Sequence, residues 1–203
     1  MDEDPWKKEL SSRTQVRTLR WHASDPSLVS QMMADMGRLG AEGINFQSAV
    51  VVAGTFPEQP FGSWTSEVLM ETFQTNLAFP MLAAQAVTPL LQNQGCLQLI
   101  LDTAIHRPMG KRLPYTAAKS GLAALVPGLA RLLAPRLRVV GHALGVVLPE
   151  EGDDSMAPHV LAELNLLKRN GTPGDLLRAL RYAADSPYLT GEILTLDGGR
   201  RWA

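Results

Sequence analysis

Tyr115 and Lys119 stand four residues apart in the run LPYTAAKSGLAAL, and Asp102 lies thirteen residues before the tyrosine, closing the apolar run CLQLIL. On a helix, positions i and i+4 share a face, so this spacing brings an ammonium beside a phenol. A neighbouring positive charge favours phenolate and draws the tyrosine pKa down from its ordinary value of about 10. A phenol tuned toward neutrality can exchange a proton with a substrate oxygen or nitrogen. Asp102, ending a buried strand, would face the same crevice. For the bare spacing, a buried tyrosine with a solvated lysine is the alternative reading, and for Asp102 the alternative is a helix or turn cap.

Positioning such side chains requires a frame, and the chain alternates short apolar runs with longer helical patterns, the mark of an α/β fold around a parallel sheet. Strands are expected at 16–21, 48–53, 96–101, 137–143 and 192–196. Between them LVSQMMADMGRL reads as an amphipathic helix opened by Ser24, Asp25 and Pro26, with its methionines as core filler. A longer helical stretch spans roughly 64–91, interrupted by Pro80, and the tyrosine helix runs from about 114 to 133. Pro127, inside that helix, should lose a backbone hydrogen bond and kink it. Thr172 and Pro173 mark another helix start, and Pro149 to Pro158 forms an acidic, flexible-looking segment. Gly198-Gly199 should make the turn after the last strand.

Several of these stretches together resemble the short-chain dehydrogenase/reductase family. Tyr115 and Lys119 match its Tyr-x-x-x-Lys signature, and an aspartate rather than a serine at Asp102 is similar to the pteridine reductase and dihydromonapterin reductase branch. VRTLRWHASDPSLV resembles the family's third strand and following turn, and SAVVVAGTF the strand that ends in Asn-Asn-Ala-Gly. TNLAFPMLAAQAVTPLL places Asn76 at the family's helical asparagine, and LARLLAPRLRVVGHALG follows the tyrosine helix as the next strand and turn do. The tail LLKRNGTPGDLLRALRYAADSPYLTGEILTLDGGR matches the last helix, Thr-Gly turn, final strand and Asp-Gly-Gly. The resemblance covers roughly residues 16–201.

It implies a Rossmann-like parallel sheet with flanking helices and hydride transfer between NADP(H) or NAD(H) and a carbonyl or pterin-like substrate. Tyr115 would be the proton donor, and Lys119 would lower its pKa and hold the nicotinamide ribose. Asn76 would keep a relay water through its helix, although a cap or a buried, satisfied amide is the alternative there. Asp102 would orient the substrate, since a carboxylate suits the N–H donors of a pterin better than a hydroxyl does. Ala53, Gly54, Gly145 and Val147 would approach the cofactor, and 149–158 would form the lid.

Members of this family open with a strand, a glycine-rich turn and a helix that hold the cofactor pyrophosphate. Residues 1–15, MDEDPWKKELSSRTQ, contain no glycine and no apolar run. The expectation is therefore a non-family segment at 1–15 and one truncated domain at 16–203, missing the first strand-helix-strand unit. The strand SAVVVAG would then lie at an open sheet edge, covered by 16–21 or by another chain. Other departures are Val51 and Val52 for the paired asparagines, Val140 for an asparagine, Leu144 for the proline before Gly145, and His22 for an adenine-side aspartate. Cofactor binding is the point these departures touch. They leave open a catalytically silent relative that serves as a binding or assembly partner, or an N-terminally truncated gene product.

The 203 residues are 45% hydrophobic and 19% charged, enough to bury a core and too apolar for a disordered chain. A net charge of −1 with scattered basic residues argues against nucleic acid and membrane surfaces. Cys96 reads as a small core residue, and no cluster has metal-ligand spacing. His22, His106, His142 and His159 fall on separate elements and read as surface or satisfied histidines. With no signal-like or membrane-spanning run, cytoplasm is the expected compartment. A small-molecule substrate is the expected partner, and a homo-oligomer is compatible with the chain.

Overall fold

A computed structural model describes residues 19, 25, 27–147 and 157–203. Four parallel strands, β1 (Phe46–Val51), β2 (Leu91–Asp102), β3 (Arg138–Leu144) and β4 (Ile193–Leu196), form one sheet in the order β1-β2-β3-β4. Helices cover it: α1 (Leu28–Ala41), α2 (Ser66–Phe73), α3 (Phe79–Val87), α4 (Leu113–Leu133), α5 (Pro158–Glu163) and α6 (Pro173–Asp185). Segment 1–15, all of 16–21 but residue 19, His22 and most of the expected lid lie outside the described residues.

Strand β2 is buried on both faces, as a central parallel strand must be. Leu97, Leu99 and Leu101 join Val139 and Ala143 of β3 and Leu122, Val126 and Ala130 of α4 in the main core. On the opposite face Cys96 packs with Val140 and with Ala183 of α6, the core role expected of the cysteine. That second face also carries polar side chains. Gln98 Nε2 donates to Ser48 Oγ (2.8 Å) and to the Leu180 carbonyl (3.2 Å), and its Oε1 lies 2.7 Å from His142 Nε2. Because the Gln98 oxygen only accepts, His142 carries its hydrogen on Nε2, and the buried Nδ1 has no partner. Arg138 holds the other end of this face, its guanidinium donating to the carbonyls of Ala183, Ala184 and Ser186 where α6 ends.

Among the described residues β1 pairs only with β2, and Val50 and Val52 are exposed along that edge. The 64–91 stretch differs from its expected form. It is two helices joined by a π-helical turn, Gln74–Ala78, and Pro80 opens α3 from its first turn instead of interrupting a helix. Proline there has no N–H to give to the carbonyl of Asn76 four residues earlier, and the wider turn accommodates that loss. Pro127 likewise does not end its helix, which continues to Leu133. Thr172 starts α6 as expected, through a capping box with Asp175. Gly198 and Gly199, both at positive φ, make the turn after β4. No helix among the described residues is long and apolar enough to cross a membrane.

Burial holds the His142 imidazole down to about 4, against an ordinary value of about 6.5. A base whose folded pKa is depressed takes up its proton first in the unfolded chain. Stability contributed above pH ~6.5 is therefore lost as pH falls toward the folded value, by up to about 3 kcal/mol. Urea unfolding at a series of pH values should show this loss, and His142→Gln, which keeps a donor for Gln98, should flatten it. Equal pH slopes for the two proteins would contradict the assignment.

Candidate active site

The site gathers at the carboxyl ends of the strands, where open parallel sheets place their ligands. Asp102 is the last residue of β2 and pairs in register with Leu144 of β3. Its Oδ1 accepts from the Ala104 amide at 2.6 Å, capping the short 3₁₀ turn that follows, so the turn-cap reading of this residue is met. Its Oδ2 accepts from the Tyr115 hydroxyl at 2.8 Å. One carboxylate thus spends one oxygen on the backbone and the other on the phenol.

Tyr115 and Lys119 occupy the first turns of α4 and are nearly buried, at 5% and 4% exposure. The Lys119 ammonium donates to the carbonyls of Ala53 (2.9 Å) and Ile100 (3.5 Å), joining α4 to the ends of β1 and β2. It sits 5.9 Å from the centre of the Tyr115 ring. Burial pulls the ammonium below the ordinary lysine range, and the Asp102 charge opposes that pull. The expectation that Lys119 draws the phenol toward neutrality is not met here. Burial, then the charge and hydrogen bond of Asp102, push Tyr115 above the ordinary tyrosine range, with Arg112 opposing weakly. The Asp102 carboxylate, expected to orient the substrate, stabilises the protonated form of the tyrosine.

Asn76 lies within the π turn and is fully buried. Its Oδ1 accepts from the Thr55 amide at 3.1 Å, and its Nδ2 donates to the Thr72 carbonyl at 3.0 Å. It is a satisfied amide that ties the turn to the loop after β1. Gly54 has to be small at this point: a Cβ there would lie 2.7 Å from Asn76 Oδ1 and 3.2 Å from Lys119 Nζ. Gly145 is tight for a different reason, since its Cβ would meet Asp197 Cα at 2.8 Å. Tyr115, Lys119, Asp102, Asn76, Ala53 and Gly54 are thus brought together. Val147 packs against Gly171, where it lines a cavity of about 440 Å³ at the ends of β3 and β4. That cavity shares Leu144 with the strand register of Asp102 but does not include the tyrosine.

Several neighbours carry no signal in the spacing of Tyr115 and Lys119. Phe56 meets the Tyr115 ring edge-on, with centroids 4.8 Å apart. Arg200, in the C-terminal turn, donates to the Leu161 carbonyl of α5 and to Asn165. Arg107 holds that turn by donating to the carbonyls of Arg200 (3.1 Å) and Ala203 (2.6 Å). The Asp102 charge acts on Arg200 across this gap, offsetting part of the downward pull of burial and of Arg107. No group of three or more His, Cys, Asp or Glu residues gathers among the described residues to hold a metal.

A family profile described as enoyl-(acyl carrier protein) reductase matches residues 3–201. Among curated proteins, dihydromonapterin reductase of Klebsiella pneumoniae is 28% identical over 139 residues, 66% of this chain and 58% of that protein. The chain therefore spans less than two thirds of that relative's length. A short-chain dehydrogenase/reductase from Serratia marcescens superposes with a TM-score of 0.84 at 22% identity, over 98% of this chain and 84% of the other. A blue fluorescent protein from a metagenomic library, in complex with NADPH, gives 0.81 at 24% identity over 96% and 79%. At these identities the structures speak for the fold.

Gly54→Ala forces Asn76 or Lys119 to shift, which should cost about 1–3 kcal/mol, the usual range for overpacking. Gly37→Ala, on the open face of α1 with nothing within 4 Å, should instead gain up to about 1 kcal/mol. Urea denaturation of both variants checks the opposite signs, and a neutral Gly54→Ala would remove the argument from close approach.

Proposed function

The chain belongs to the short-chain dehydrogenase/reductase family, and on that premise we propose that it is an oxidoreductase acting on a carbonyl or pterin-like substrate with NADP(H). The observation that carries this reading is the Tyr115–Asp102 hydrogen bond at the end of the central strand, with the Lys119 ammonium buried beside it. A nicotinamide cofactor, when bound, supplies or takes up the hydride.

The residues present fit the nicotinamide-ribose end of such a cofactor. An ammonium has three N–H donors, and Lys119 directs two at the carbonyls of Ala53 and Ile100, which leaves one for a ribose hydroxyl. Backbone at Ala53 and Gly54 lies beside it. Among the described residues no glycine-rich turn leads from a strand into a helix to receive the pyrophosphate.

Tyr115 acts as an acid. Burial and Asp102 keep the phenol protonated, so in the reductive direction it gives its proton to the oxygen or nitrogen at which negative charge develops. The C=O or C=N bond becomes CH–OH or CH–NH as substrate carbon gains hydride and the heteroatom gains the phenol's proton. Asp102 then serves twice. It holds the phenol's hydrogen until substrate displaces it, and its carboxylate accepts N–H donors from a pterin ring, which favours that class over simple carbonyls. Asn76 holds the loop that presents the Ala53 carbonyl to Lys119.

Titration with NADPH and NADP⁺, followed by nicotinamide fluorescence and thermal stabilisation, should give micromolar binding. Tyr115→Phe should leave that binding intact and lower turnover by about 10²-fold or more. Lys119→Met should weaken both, and Asp102→Asn should narrow the preference for pterins over simple carbonyls. A folded chain that is not stabilised by millimolar cofactor would overturn the reductase reading and favour a silent relative that binds a partner.

A further inference from the structure

Asp102 fixes the hydroxyl of Tyr115, but one hydrogen bond does not fix the plane of the ring. The loop between β1 and α2 supplies a second contact. Phe56 lies with its ring 84° to that of Tyr115, and the Arg112 guanidinium lies 4.1 Å from the centre of the Phe56 ring. Arg112 is itself immobilised. Its Nε donates to the Phe56 carbonyl at 3.3 Å, its Nη1 pairs with Glu58 at 3.1 Å, and its side chain is only 13% exposed. The next loop residues reinforce this latch, since the Gln59 amide donates to the Lys111 carbonyl at 2.6 Å and Gln59 Nε2 donates to Thr72 of α2 at 2.7 Å. The series of contacts therefore runs guanidinium, phenylalanine ring, phenol ring, the two rings meeting edge to face, with both ends anchored in the turn that opens α4.

We infer that Phe56 and Arg112 are positioning residues for Tyr115: Arg112, held by Glu58 and by the Phe56 carbonyl, presses the Phe56 ring against the phenol ring and fixes the direction of its hydroxyl. The inference on turnover rests on the reductase reading; the inference on ring contact does not. Planar stacking and a bond through Nε are properties of arginine that lysine lacks, and only an aromatic ring at position 56 offers both a face to the cation and contact with the phenol.

Two readouts separate the positioning role from the reductase reading. In steady-state turnover, Phe56→Leu and Arg112→Gln should each lower kcat on the order of tenfold through a misdirected hydroxyl, with KM and cofactor affinity unchanged. Phe56→Tyr should restore most of the loss, and Arg112→Lys, which keeps only the charge, should not. Tyrosine nitration by tetranitromethane, mapped by mass spectrometry, needs no turnover. Tyr182 and Tyr188, at 59% and 104% exposure, should be modified in every protein and report the reagent dose. Tyr115 should be spared in the wild type and in Phe56→Tyr and modified in Phe56→Leu. If Phe56→Leu does not fold, Arg112→Gln carries both readouts. Equal protection of Tyr115 in all folded variants, or a kcat that does not move, would overturn the inference. A wild type with no turnover whose Tyr115 becomes modified only in Phe56→Leu would sink the reductase reading and leave the ring contact standing.

Discussion

A lysine ammonium at 4% exposure has to be met by acceptors, because burying an unpaired charge is among the most expensive things a fold can do. Here the acceptors are the carbonyls of Ala53 and Ile100, which belong to two neighbouring strand ends. Meeting them forces α4 to lie across the ends of β1 and β2 with its first turns pointing inward. Gly54 then has to be small, Asn76 has to hold Thr55, and Tyr115, one turn before Lys119, reaches Asp102. The position of the phenol follows from where the ammonium can be satisfied.

The electrostatic balance at the site differs from what a tyrosine and lysine on one helix face suggest alone. Spacing makes the ammonium the obvious influence on the phenol. Distance reverses the ranking: the lysine sits 5.9 Å from the ring centre while the Asp102 carboxylate accepts the phenol's hydrogen at 2.8 Å. Burial raises the phenol most, and the near carboxylate adds to it. The result is a tyrosine held in its protonated form.

Much of this was legible in the chain. Short apolar runs located β1, β3 and β4 closely and the buried half of β2, whose earlier part from Leu91 carries no such run, and the Thr172-Pro173 start of α6 announced its own cap. Tyr115 and Lys119 were legible from their spacing on one helix face and Asp102 from its place at a strand end, whereas Asn76 was placed by the family resemblance. Phe56, Arg112 and Arg200 were not. They reach the site from loops and from the C-terminal turn, where no periodicity says which side chain returns to which strand. The helical stretch around Pro80 was misread for a related reason. A proline normally marks a break, and only the π turn before it shows how the chain absorbed the lost donor. Val147, expected beside the cofactor by its place after Gly145, packs against Gly171 at the rim of the cavity by β3 and β4.

The chain of Ser48, Gln98 and His142 crosses three adjacent strands on one face of the sheet. Each member satisfies the next, so removing one leaves a buried polar group without a partner, and replacing the set by apolar residues leaves none. Relatives of this protein should accordingly hold these three positions as a block, polar together or apolar together. The same linkage ties the strands to one alignment, since a shift of one residue would turn each of the three side chains to the opposite face, into the leucine core against α4.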